Sequence, residues 1–259
     1  MKDVKKGVRR SIIIILLCIV GLICTVIGFY KYLQEKNAGK EYDEIKREVE
    51  QSTIEHTTLK EDIIKIPVDF TELQKENPEI YAWIKIDGTE VDYPIVQSNT
   101  DNSYYLTHNV GKKESLEGAI FTENYNSKTF NDPNTLIYGH NMKNGTMFQT
   151  LHRFMDKDFF DKNRDIEIYT PTKILHYKIF AAYLSDASHI LKKYDFNDKQ
   201  VYQSYLNGIF SIRSIDAFVD SSIEVTNSDK IITLSTCYAN LEYYRYLVQA
   251  VLVSTELMN

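Results

Sequence analysis

Residues 11–30, SIIIILLCIVGLICTVIGFY, form an uncharged run of 20 residues, and no other feature restricts the chain so strongly. At about 1.5 Å rise per residue a helix of this length spans roughly 30 Å, the thickness of a bilayer's hydrocarbon core. A cleaved secretory leader is the alternative, but its apolar region is about 7–15 residues long and ends in small residues at the cleavage site. Here Phe29, Tyr30 and Tyr32 close the run instead, and aromatic side chains of this kind favour the lipid–water boundary. The run predicts an uncleaved transmembrane anchor over residues 11–30.

Charge then predicts the orientation. Residues 1–10 hold Lys2, Lys5, Lys6, Arg9 and Arg10 against Asp3, a balance of +4 in a chain of net charge −6. The positive-inside tendency places this tail in the cytoplasm and everything from Lys31 outside, in a single-pass arrangement at the cell membrane. The part beyond the anchor carries −10, which excludes nucleic acid as a partner because phosphate neutralisation needs clustered Lys and Arg. Residues 31–62 are charged and poor in large apolar side chains, with Ile45 and Val49 at helical spacing. They predict a juxtamembrane helix and stalk, solvated on most faces. Residues 63–259 are then an extracellular domain long enough to bury a core.

Within that domain the pattern is one of short strands. Asp69 is placed to cap a short helix over FTELQKENPE, which Pro78 helps to end. YAWIKI and EVDYPIVQ flank Asp87-Gly88, predicting a hairpin through a type I′ turn. GAIFTE, NTLIYGH, DIEIYT, KILHYKIFAAYL, KIITLSTC and YRYLVQAVLV are further strands, while residues 146–155 and 198–214 carry helical patterns. About eight short strands with few helices predict a mainly β fold, a closed or nearly closed barrel with peripheral helices.

Cysteine usage narrows the chemistry. Cys18 and Cys24 lie in the anchor, so Cys237 stands alone outside it. It is either a buried small hydrophobe or a reactive thiol. Cys237 ends the strand IITLSTC, His140 ends LIYGH after Gly139, and Arg245 lies eight positions beyond Cys237. If the last two strands are antiparallel, Cys237 and Arg245 emerge at one rim. A thiol attacks a carbonyl as thiolate, which a nearby cation favours. A guanidinium also stabilises the oxyanion of the tetrahedral intermediate, and a histidine protonates the departing amine. These three residue types suffice for acyl transfer from an amide. Of the other histidines, His56, His152 and His176 are weaker candidates by position, while His108 and His189 lie in loops and stay open. No phosphate-binding glycine loop, no H-E-x-x-H and no zinc-ligand spacing occurs, so neither a metal nor another cofactor is implied.

TLSTC at 233–237 followed by Arg245 resembles the active-site signature of sortases, the membrane-anchored transpeptidases of Gram-positive bacteria. LIYGHNMKNGTMFQTL is similar to that family's histidine segment, and WIKIDGTEVDYPIVQSNTDNSYYL to the opening strands of its class B branch. The long interval before KIITLSTC, with a helix near 198–214, is also a class B trait. The resemblance covers most of residues 63–259. It implies an eight-stranded sortase barrel in which Cys237 is the nucleophile, His140 the general acid and base, and Arg245 the stabiliser of oxyanion and substrate. It further implies cleavage of a C-terminal sorting motif of surface proteins after its Thr, through a thioacyl enzyme that a peptidoglycan precursor or cross-bridge amine resolves. Ser235, Thr236, Asn102 and Leu106 match positions that line the family's peptide groove. Tyr238 departs from the pattern, since class B enzymes often carry an acidic residue after the cysteine; Glu242 is the one acid before Arg245. Two other readings remain: a membrane-anchored cysteine peptidase that passes the acyl group to water, and a tethered scaffold with no catalysis.

Overall fold

The computed structural model describes residues 2–37, 39–57, 66–239 and 241–258, with 2–13, 35–37, 51–57 and 242 described by backbone alone. Ile63, expected to open the folded domain, lies outside the described residues, as does Asn240. The chain divides into two compact units at Ala38. The first is the helix α1, Lys2–Asn37. Its stretch Ile14–Gln34 is 21 residues long, apolar enough to cross a membrane, and buried nowhere in the unit.

The second unit is a barrel. Its strands are β1 (Ile80–Ile86), β2 (Asp92–Val96), β3 (Ile120–Thr122), β4 (Asn134–Tyr138), β5 (Asp165–Tyr169), β6 (Lys173–Asp186), β7 (Phe218–Val219), β8 (Ile231–Tyr238) and β9 (Leu241–Leu257). They hydrogen-bond in the order β5-β1-β2-β3-β4-β8-β9-β6, and β6 pairs back onto β5, so eight strands close on themselves while two-residue β7 extends along β6. The eight-stranded barrel that the resemblance implies, and that the strand pattern predicts as closed or nearly closed, is the fold, and it is closed. Closure removes the open sheet edges that would otherwise invite aggregation. Pairs β2–β3 and β4–β8 are parallel. The others are antiparallel.

Local chemistry explains the element ends. Helix α3, Phe70–Glu76, begins where the Asp69 carboxylate accepts from the amides of Thr71 and Glu72, which have no carbonyl partner in a first turn. The β1–β2 connection differs from the expected type I′ turn. That turn needs positive φ at both central residues, and only Gly88 has it, at +78°. The amide of Thr89 bonds the carbonyl of Ile86, and Ile86 in turn bonds Val91, giving a wider loop. Residues 149–155 coil as a 3-10 helix, followed by the short α4, Lys157–Lys162. The helix expected in 198–214 is α6, Lys199–Phe210, capped by Asp198. The four-residue helix α5, Ile190–Lys193, precedes it.

Strand alternation determines what meets what. On β8 the residues Ile231, Thr233, Ser235 and Cys237 share one face, and their β9 partners are Val251, Gln249, Leu247 and Arg245. Leu206, Ile209 and Tyr202 of α6, with Ile190 and Phe196 before it, pack onto Ile231, Leu247 and Val251 of this face. The cover thus lies over one end of a single row of side chains.

The segment 31–62 departs from the expected stalk over part of its length. Helix α2, Lys40–Thr57, is mostly solvated, but Tyr42 is only 1% exposed. Its hydroxyl donates to the Gly118 carbonyl at 2.7 Å. One aromatic residue among charged neighbours produces little helical hydrophobic periodicity, yet it anchors the helix to the barrel.

Candidate active site

Two ladders bring the strand-end residues to one rim. In the parallel β4–β8 pair, Leu136 lies opposite Thr233 and Tyr138 opposite Ser235. His140 and Cys237 are each two residues further on, so both leave the same edge. In the antiparallel pair, Cys237 lies directly opposite Arg245. Opposed residues in such a ladder sit about 4.5–5.5 Å apart at Cα with side chains on one face. Beyond this pair the register shifts, and β9 starts at Leu241 opposite Tyr238. The connection is therefore tight, and Ala239 takes a φ of +49° to make it.

Where the helical cover stops, the row opens into a cleft of about 370 Å³. Cys237, Arg245 and His140 line it together with Tyr138, Glu123 and His189. Cys237 is partly exposed there, as a thiol must be to meet a substrate.

His140 is held from outside the strands. Its Nε2 lies 2.7 Å from the Leu106 carbonyl. A carbonyl only accepts, so this nitrogen carries the hydrogen, and Nδ1 of the neutral ring holds the lone pair. Gly118, at φ +55°, makes room for the contact: a Cβ there would lie 2.9 Å from the Leu106 oxygen and 3.1 Å from the His140 ring. Gly139, just before the histidine, serves packing rather than backbone freedom. Its φ is ordinary, but a Cβ would lie 2.6 Å from Ile120 Cδ1, so it permits close packing. Asn141 Nδ2 donates to the Cys237 carbonyl at 3.1 Å, tying the histidine loop to the cysteine strand.

A second polar group stands beside Arg245. The Glu123 carboxylate accepts from the Tyr138 hydroxyl at 3.0 Å and lies 2.6 Å from His189 Nε2. Burial, then the Glu123 charge, pushes the Tyr138 phenol up, and the Arg245 cation works against that rise. Tyr138 therefore remains a neutral donor.

The structure gathers all the expected site residues at this cleft, in different postures. Leu106 and Asn102 form one wall, and the Asn102 side chain accepts from the Asn124 amide at 2.8 Å. Ser235 and Thr236 border the cleft, but adjacent strand residues face opposite ways. Ser235 shares the Cys237 face, whereas Thr236 turns inward opposite the fully buried Tyr246. The histidines left open separate: His189 lines the cleft, while His108 stacks on Tyr104 at 4.0 Å. His152 stacks on Tyr246, and burial holds its ring below the usual histidine range. His176 pairs with Glu256 at 2.9 Å. Glu123 and Tyr138 escaped the sequence reading. Tyr138 sits two residues before His140 on the same strand face, the one signal that pointed to it. Among the described residues no group of three or more His, Cys, Asp or Glu is arranged to hold a metal ion.

Comparison with known proteins places this geometry. A Sortase domain model matches residues 84–253. Sortase B of Listeria monocytogenes is 35% identical over 188 residues, covering 72% of this chain and 74% of that protein. Sortase B of Staphylococcus aureus is 27% identical over 227 residues, 88% of each. Among solved structures, Clostridium perfringens sortase B superposes with a TM-score of 0.65 at 34% identity, covering 72% of this chain and 100% of that one. A Staphylococcus aureus sortase B–substrate complex gives a TM-score of 0.70 at 28% identity, covering 85% and 99%. A barrel rim that pairs a partly exposed cysteine with an arginine, a domain model spanning most of that barrel, and relatives of one kind agree: the chain belongs to the sortase family, in its class B branch.

Proposed function

We propose that this chain is a membrane-anchored cysteine transpeptidase that cuts a Thr-containing sorting pentapeptide of surface proteins and joins the Thr to a peptidoglycan amine. The observation that carries the reading is the direct cross-strand pairing of Cys237 with Arg245, with His140 at the same rim. In this scheme Nδ1 of neutral His140 takes the Cys237 proton. The thiolate adds to the Thr carbonyl carbon, and the oxyanion is stabilised by the Arg245 guanidinium. The C–N bond breaks as His140 returns the proton to the departing amine, leaving a thioacyl enzyme. The acceptor amine loses a proton to His140, attacks the thioester carbonyl and expels the Cys237 thiolate. Net, one amide replaces another and no oxidant or cofactor is consumed.

Ser235, Asn102 and Leu106 are assigned to the peptide groove, and Thr236 contributes backbone there. Residues 1–10 are assigned to the cytoplasm, 11–30 to the membrane, within a helix whose apolar stretch runs over Ile14–Gln34, and the barrel to the outer face. This topology puts the thiol where surface proteins and wall precursors meet.

The test uses a library of peptides varied around a Thr-containing pentapeptide, with and without triglycine. A new amide formed at the expense of free acid supports the reading. Free acid alone, whatever the amine concentration, means a hydrolase; cleavage by Cys237→Ala would remove the cysteine from the chemistry.

A further inference from the structure

The proposed base is braced by a residue from the helix next to the anchor. We infer that Tyr42 is a positioning residue for His140, because its buried hydroxyl clasps the loop whose Leu106 carbonyl holds the imidazole. The inference rests on the role proposed for His140.

Tyr42 touches both segments on which the imidazole depends. Its hydroxyl donates to the Gly118 carbonyl at 2.7 Å and accepts from the Val110 amide at 3.3 Å. These bonds bind together the two limbs of the loop running from Tyr104 to Gly118. At the base of that loop the Ala119 amide bonds the Tyr105 carbonyl, and within it Leu106 presents its oxygen to His140 Nε2 at 2.7 Å. The Tyr42 ring packs edge-on against Tyr93, with centroids 5.4 Å apart. The Tyr93 hydroxyl in turn accepts from the Met147 amide at 3.0 Å. Met147 is bridged to Asn141, and the Phe148 amide bonds the carbonyl of His140 itself. One phenol thus reaches the histidine through its acceptor loop on one side and through its own loop on the other.

The rest of the helix strengthens the clasp. Glu41 accepts from Asn109 Nδ2 at 2.6 Å and pairs with Lys113 at 3.7 Å, both on the same loop. The Lys46 ammonium lies 4.0 Å from the centre of the Tyr93 ring. Burial pushes the Tyr42 phenol well above its ordinary range, so it donates as a neutral group across any working pH. No packing requirement alone calls for a hydroxyl at this point. A phenylalanine would fill the same space against Tyr93.

Leu106 holds the imidazole as the Nε2–H tautomer, leaving Nδ1 free to accept a proton. If Tyr42 releases the loop, the Leu106 oxygen moves and that selection weakens. Activity then falls through the fraction of enzyme carrying the right tautomer, which affects kcat more than KM.

The experiment compares Tyr42→Phe with the unaltered full chain in lipid nanodiscs, using a sorting-type peptide and triglycine. Expected are a fall in kcat of about fivefold to tenfold, a KM within about twofold, and a fall in melting point of no more than about 8 °C, the loss being that of two buried hydrogen bonds. Imidazole nitrogen NMR of His140 should change from one tautomer to a mixture. Glu41→Gln, at a half-buried position one residue before Tyr42, should move both readouts the same way by a smaller amount. An unchanged kcat, or a lowered kcat with an unchanged His140 spectrum, overturns the inference. His140→Ala separates the two levels: if that variant keeps full activity, the proposed mechanism is wrong, whereas an inactive His140→Ala beside an unaffected Tyr42→Phe removes only the brace.

Discussion

The two ends of the β8–β9 row carry similar side chains in opposite conditions. At the covered end, Gln249 is fully buried and donates to the Tyr205 hydroxyl at 2.5 Å and to Thr233 Oγ1 at 2.9 Å. Its oxygen accepts from the Tyr183 hydroxyl at 3.3 Å, and the Thr233 hydroxyl donates to Asn134 Oδ1 at 2.9 Å. Two register steps on, Cys237 and Arg245 face a cleft rather than the helix α6. The same ladder and the same strand face give a buried polar cluster in one place and a thiol–guanidinium pair lining a cleft in the other. The difference lies in the cover. A polar group sealed under helices needs every partner inside the protein, whereas one left at the mouth keeps capacity for a substrate.

Breaking either end should therefore damage a different property. Cys237→Ala should lower transpeptidation by more than about 10⁴-fold while leaving the melting point within about 2 °C, because the nucleophile is lost and little packing is. Steady-state rates and calorimetry on one preparation check both halves. Arg245→Gln should lower kcat by about 10²–10³-fold, the usual cost of losing one oxyanion donor. A loss confined to KM would reassign Arg245 to ground-state binding. Glu123→Gln, on the wall of the cleft, should lower kcat/KM by about tenfold, since a charged acceptor of two hydrogen bonds becomes neutral.

At the covered end the sign reverses. Gln249→Leu should leave kcat per folded molecule unchanged but cost about 2–3 kcal/mol, because the Tyr205, Tyr183 and Thr233 hydroxyls lose buried partners. In a body of this size that is roughly a 5–10 °C fall in melting temperature. The smallest effect is expected from a pair at neither end. Burial works to raise the Asp220 carboxyl, but Ser222 hydrogen bonds and the Arg164 guanidinium overcome it and hold the group at about 2. A carboxyl depressed in the folded state contributes stability above its unfolded pKa, near 4, and loses it as pH falls through about 2. Asp220→Asn should accordingly cost up to about 1 kcal/mol at neutral pH, solvent screening part of the charge's worth, and progressively less as pH falls toward about 2, as read from denaturant midpoints across that range.

The barrel was legible because half-buried strands alternate and turn residues separate them, a pattern local enough to read one segment at a time. The three strand-end residues were legible for the same reason: Cys237, His140 and Arg245 each stand where an apolar run gives way. What covers a strand face is not local. Nothing in IITLSTC tells that α6 hides Thr233 and spares Cys237. The Glu123 cluster joins residues from three separate segments, and no periodicity links Glu123 to His189. Tyr42 was obscured for a related reason, being one aromatic residue in a charged helix whose partners arrive about 70 residues later, at Val110 and Gly118. Thr236 shows the limit of resemblance, since a position matched by motif still obeys strand alternation.

The parallel β4–β8 pairing also has a consequence in time. Asn141 and Cys237 meet across 96 residues of chain, and Arg245 comes from β9, the final strand. Contacts that span such separations form after local ones. Cys237 and Arg245, only eight residues apart, therefore meet through a local hairpin, whereas the histidine loop reaches the cysteine strand only through the long-range β4–β8 pairing. β9 zips between β6 and β8, so the step that closes the barrel is the one that builds the rim carrying Cys237 and Arg245.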